Sequence, residues 1–108
     1  MKPNRQETER QQQAHEKALC RAIVSLRTPE ECHDFVKDLC TPAELQALVD
    51  RWQVVDLLEN GLTYRRINEL TGVSVTTIGR VARFLADGHG GYRTAIDRTA
   101  ANNNPTSH

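Results

Sequence analysis

The chain has 108 residues, 38% hydrophobic and 26% charged, which suits one small globular domain and leaves no apolar run near the roughly 18 residues of a membrane span. The formal net charge is zero but unevenly spread: eight Lys/Arg against eleven Asp/Glu put residues 1–60 at −3, and six Arg against three carboxylates put residues 61–108 at +3. A local surplus of cations, more than the total, makes a phosphate-binding face, so neutrality alone does not exclude a nucleic-acid partner.

Residues 1–13, "MKPNRQETERQQQ", are polar throughout and lack the apolar core of a signal peptide, so a cytoplasmic protein with a frayed polar start is expected. Ala14, Ala18, Leu19, Ala22, Ile23 and Leu26 then recur at helical spacing, which predicts a helix over about residues 8–26. "TPEE" starts the next one: Thr28 can cap it, Pro29 suits its first position, and Glu31 can complete a capping box. Cys32, Phe35, Val36, Leu39 and Cys40 form its apolar stripe, and the helix covers about 29–39. "TPAE" repeats the signal at Thr41, Pro42 and Glu44 and opens a helix over about 42–60 that stops at Asn60-Gly61. Its Leu45, Leu48, Val49, Trp52, Val54, Val55, Leu57 and Leu58 span more than one face, so cover from a second copy, a dimer, is expected.

Residues 63–85, "TYRRINELTGVSVTTIGRVARFL", hold two short helical patterns around one glycine. Thr63 can cap a first helix to Leu70, with Ile67 and Leu70 as core residues. Gly72 supplies a turn with positive φ, and Ser74 caps a second helix to about Ala86, packed through Val75, Ile78, Val81, Ala82 and Leu85. Ile67, Val73, Ile78 and Val81 lie at the offsets from Gly72 that lock two helices steeply across each other, as in a helix-turn-helix. The second helix's other face carries Thr76, Thr77, Arg80 and Arg83 with Ser74 at its tip. Such side chains suit phosphates and base edges, arginine and guanine above all. Arg65 and Arg66 on the first helix are placed for backbone phosphates. Asn68 stands where many such motifs carry Ala; either the turn is wider here or Asn68 points to the DNA.

"DGHGGY" is a loop, "YRTAIDRTA" can form a last short helix with Tyr92, Ala95 and Ile96 inward, and residues 99–108 read as a disordered tail. No strand pattern appears. Cys20, Cys32 and Cys40 fit no zinc spacing and read as small buried hydrophobes. No metal site, cofactor motif or nucleophile–base pair is found, so an enzyme is not expected.

"LCTPAELQALVDRWQVVDLLENGLTYRRINELTGVSVTTIGRVARFL" and "GHGGY" resemble the Trp repressor superfamily, and with "SLRTPEECHDFVKDLCTPAELQAL" the YerC/YecD-type branch of Trp-repressor-related proteins, over about residues 18–98. The resemblance implies an all-α fold of about six helices in one domain over 14–98. It also implies an intertwined homodimer that reads palindromic double-stranded DNA as a transcriptional regulator, in the manner of a repressor. DNA-contacting positions of the family fall on Arg65, Asn68, Val75, Thr76 and Gly79, the last able to touch a base only through its backbone. Thr77 and Arg80 fall near co-repressor and phosphate. Thr41, Arg51 and Arg80 fall on residues that hold the co-repressor, with Phe84 beside them as a candidate effector-pocket residue.

Two positions depart from the family's tryptophan site: Val81 replaces a glycine under the indole ring, and Phe84 replaces a serine that meets the ligand's amino group. An ammonium left without its partner would cost about 1–3 kcal/mol, so tryptophan is not the expected effector, and Val81 and Phe84 can fill the slot themselves. The alternative to a DNA-binding regulator is a protein-interaction module that uses the same helix pair.

Overall fold

The computed structural model describes residues 8–103, the last three by backbone alone, and these form six α-helices with no strand among them. Residues 1–7 and 104–108, the start of the polar segment and the second half of the expected tail, lie outside the described residues. The contacts group into two units, one ending at Pro42 and one beginning at Ala43.

The first unit holds α1, Glu9–Val24, and α2, Pro29–Leu39. Thr8 and Gln11 start α1 with a reciprocal capping box: the Gln11 N–H donates to Thr8 Oγ1 at 3.1 Å, and the Thr8 N–H to Gln11 Oε1 at 2.9 Å. Thr28 caps α2 by accepting from the Glu31 N–H at 3.1 Å. The Glu31 carboxylate does not close the box expected of it; it accepts from the Arg27 N–H, one residue earlier, at 2.9 Å.

Neither helix buries a residue. Ile23, Val24 and Leu39 are exposed, and so is Cys20, while Cys32 and Cys40 are half-buried. The cysteines are therefore not the buried hydrophobes their spacing suggests. Two short helices enclose no volume, and a side chain is buried only when covered from several sides.

The second unit holds α3, Pro42–Glu59, from Ala43 onward, with α4, Tyr64–Thr71, α5, Val75–Asp87, and α6, Gly91–Asn103. α3 ends in a Schellman arrangement: the Gly61 N–H donates to Leu58 O at 3.0 Å and the Leu62 N–H to Leu57 O at 3.2 Å. Leu57, Leu58 and Leu62 then pack on a core of Val54, Val55, Ile67, Val73, Ile78 and Val81, joined by Leu85, Tyr92 and Ile96. Leu70 and Val75, expected to pack, are instead exposed. Each sits at a helix end, where the chain turns away from the core. On α3, Leu48, Val49 and Trp52 stay exposed beside buried Val54 and Val55, which is the wide apolar arc read from the sequence.

α6 continues to Asn103, five residues into the stretch expected to be disordered from 99 onward. The Thr99 hydroxyl donates to Ala95 O at 2.8 Å. Arg93 ties α6 to the end of α3 by a bidentate ion pair with Glu59, at 2.8 and 2.9 Å. Those hydrogen bonds hold the Glu59 carboxyl below its ordinary value, against a smaller upward push from desolvation, and the Arg93 charge adds to the depression. A carboxylate with a depressed folded-state pKa stabilises the fold above its unfolded pKa and loses that contribution as pH falls through the folded value. Thermal unfolding of Glu59→Gln should thus differ from wild type at neutral pH, and the difference should vanish on acidification below the ordinary glutamate range.

Candidate nucleic-acid interface

The turn between α4 and α5 is built by side chains as well as by glycine. Thr63 caps α4, accepting from the Arg66 N–H at 3.1 Å. At the far end Gly72 adopts φ +76° and its N–H donates to Asn68 O at 2.9 Å. A Cβ in that conformation is strained, which is why the position suits glycine. The Thr71 hydroxyl donates to Ile67 O at 2.7 Å and accepts from the Val73 N–H at 3.0 Å.

Asn68 ties the turn together. It is half-buried, and its Nδ2 donates to Val73 O at 2.9 Å, bridging the two sides of the turn. Asn68→Ala should therefore cost about 1–3 kcal/mol in denaturant unfolding, because it leaves a partly buried carbonyl without that donor.

Ile67, Val73, Ile78 and Val81, all buried, fill the crotch of the two helices as their spacing predicts. With that side of α5 fixed inward, Ser74, Val75, Thr76, Arg80 and Arg83 stand on the exposed side. Thr77 is half-buried and belongs to the cap: Ser74 Oγ accepts from the Thr77 N–H and donates to Thr77 Oγ1, both at 3.1 Å. Gly79, half-buried, lies beside this face.

The cations of the face are held in place but stay accessible. Arg65 Nε lies 3.4 Å and Arg66 Nη1 3.5 Å from the carboxylate of Glu69, with the Arg65 side chain 90% exposed. Exposed pairs of this kind contribute about 0–1 kcal/mol, so a phosphate can replace the carboxylate at little cost. The guanidinium groups of Arg80 and Arg83 sit 4.8 and 5.4 Å from the centroid of the Phe84 ring. That is cation–π range, and it orders two long side chains around one aromatic.

Behind this face is an opening of about 390 Å³ lined by Arg51, Arg80, Val81, Phe84, His89, Gly91 and Tyr92. It brings together three of the expected effector-pocket residues, Arg51, Arg80 and Phe84; Thr41, the fourth, is exposed in the other unit. Val81 and Phe84 both line it, Val81 turned into the core and Phe84 lying under the two arginines. His89 and Tyr92 are lining residues the sequence reading did not assign. Their signal was present in "GHGGY", where the glycines let the chain fold back on the end of α5. No cluster of metal-ligating side chains occurs among the described residues, and none of their helices is long and apolar enough to cross a membrane.

Comparison with known proteins agrees with this geometry. The profile of the family described as "Trp repressor protein" matches residues 14–100. An uncharacterized protein of Bacillus subtilis, YerC, is 45% identical over 80 residues, which cover 74% of this chain and 77% of YerC. The crystal structure of a TrpR-like protein from Eubacterium eligens superposes with a TM-score of 0.74 at 41% identity, covering 82% of this chain and 90% of that one. A Staphylococcus aureus crystal structure superposes with a TM-score of 0.77 at 36% identity, covering 87% and 96%.

Proposed function

The chain belongs to the Trp repressor family, and on that premise we propose that it is a sequence-specific DNA-binding transcriptional regulator that acts as a homodimer on palindromic sites. The observation that carries the reading is the division of α5. Ile78 and Val81 anchor it in the core, and Ser74, Val75, Thr76, Arg80 and Arg83 stand outward on the other side. A helix held rigidly on one side, with hydroxyls and arginines on the other, suits entry into the major groove. Arg65 and Arg66 supply the phosphate contacts that set its register, and the Ser74-capped end of α5 adds backbone donors.

The homodimer is supported by apolar surface that one chain leaves open: Ile23, Val24, Leu39, Leu48, Val49 and Trp52 are all exposed. A second copy covering these residues would set two reading helices about 34 Å apart, one turn of duplex. The cavity beside Arg80 could admit a small effector. Tryptophan is a poor fit on this reading, since Val81 and Phe84 stand where its ring and amino group are held in the family.

Selection of bound duplexes from a random pool tests the proposal. The expected product is an inverted repeat with half-sites one turn apart, bound by a dimer in sedimentation. Its affinity should fall steeply with salt as counterions are released. Enrichment of no sequence would overturn it, and capture of a protein partner lost on mutating Arg65, Arg66 and Arg80 would favour an interaction module instead.

A further inference from the structure

Residue 79 lies half-buried beside the outward face of α5, along the helix between Val75 and Thr76 before it and Arg80 and Arg83 after it. It is a glycine, so the part of the proposed reading surface that faces α4 has no side chain of its own. The structure fills that place from the other helix. Tyr64, the first residue of α4, lays its ring against Gly79, with Cε2 3.9 Å from where a Cβ on residue 79 would stand. Cε2 is bonded to the carbon that bears the hydroxyl, so the phenol end of the ring meets α5. Tyr64 is still 42% exposed, a large amount for an aromatic packed against a neighbouring helix.

Resting on the DNA-binding reading, we propose that Tyr64 is a base-reading residue, which presents its hydroxyl to a base edge in the major groove at the position where α5 has only Gly79. A phenol carries one donor and one acceptor site and can pair with a base edge, while the ring edge makes apolar contact with a thymine methyl. Its stiffness suits the task, since two side-chain torsions leave little freedom to lose on binding. The first helix then contributes to sequence choice as well as to phosphate contacts.

Selected sites should be compared for the full-length wild type, Tyr64→Phe and Tyr64→Ala. Tyr64→Phe should weaken binding to the wild-type site by about 3- to 10-fold, the loss of one hydrogen bond, and relax preference at one base pair per half-site. Tyr64→Ala should weaken it further at that same base pair. The salt dependence should not change in either variant, because a neutral side chain releases no counterions. Circular dichroism melting of Tyr64→Phe should match wild type, because the packed ring is kept.

Tyr64 variants that keep wild-type preference at every base pair would overturn the assignment, whether their affinity is unchanged or uniformly reduced. That result would leave the DNA-binding reading standing if the wild type still selects a site. A wild type that binds no duplex would remove both.

Discussion

Replacing Ile78 with alanine should lower the free energy of unfolding by about 2–5 kcal/mol, measured by urea denaturation at fixed protein concentration. Ile78 is fully buried among Ile67, Val73 and Val81, and also belongs to the cluster that contains Val54 and Val55 of α3. Truncation removes apolar contact with both neighbouring helices and leaves a space that a close-packed core cannot fully collapse into. The same substitution at Val75, three residues earlier but exposed, should stay within about 0.5 kcal/mol. The contrast checks the orientation of α5 directly. If Val75→Ala destabilised as much as Ile78→Ala, the helix would be rotated from the placement on which the interface depends. Ile78→Ala should also weaken DNA binding through disorder of α5, so stability must be measured beside affinity.

Why α5 was legible in the sequence and Tyr64 was not follows from the range of the forces involved. A Ser74 cap, a Gly72 turn and an apolar period through Ile78 and Val81 are local: each acts within a few residues, and the chain carries them in order. The caps at Thr28, Thr63 and Ser74 all formed where they were expected. Asn68 lies at the limit of that range. Its bond to Val73 O spans five residues across a bend, and only the bend's geometry decides whether the amide faces the turn or the solvent. The meeting of Tyr64 with Gly79 is decided by how two helices cross, which no periodicity encodes.

Leu70 and the cysteines show the opposite error. A place on an apolar stripe suggests burial, but a stripe only states what a helix can bury. What it does bury depends on the element laid against it. Leu39, Leu48 and Trp52 all lie on such stripes and are exposed. Residues 99–103 join α6 for a simpler reason. "TAANN" is weak but compatible with a helix, and a helix already begun at Gly91 extends at far lower cost than one that must nucleate.

Arg80→Ala should reduce affinity for a selected DNA site by about 5- to 150-fold, the worth of one bidentate contact to a base. The guanidinium is exposed on the outward face of α5 and ordered by the Phe84 ring 4.8 Å away, so part of the entropy of fixing a long side chain is already lost before DNA arrives. Arg80→Lys separates charge from geometry. Lysine keeps the cation but not the planar fork or the stacking, so it should recover little of the loss if Arg80 reads guanine and most of it if Arg80 only meets phosphate. Salt titration gives the same distinction independently, since loss of a phosphate contact lowers the slope by about one ion and leaves the sequence preference intact. Phe84→Ala should weaken binding through both Arg80 and Arg83 while leaving every charge in place, because both guanidinium groups rest on that ring. Binding by Arg80→Ala and Phe84→Ala as tight as wild type would mean that the arginine side of α5 faces no duplex. The exposed hydroxyls of Ser74 and Thr76 alone could not then account for recognition, since each neutral hydrogen bond contributes only about 0.5–1.5 kcal/mol.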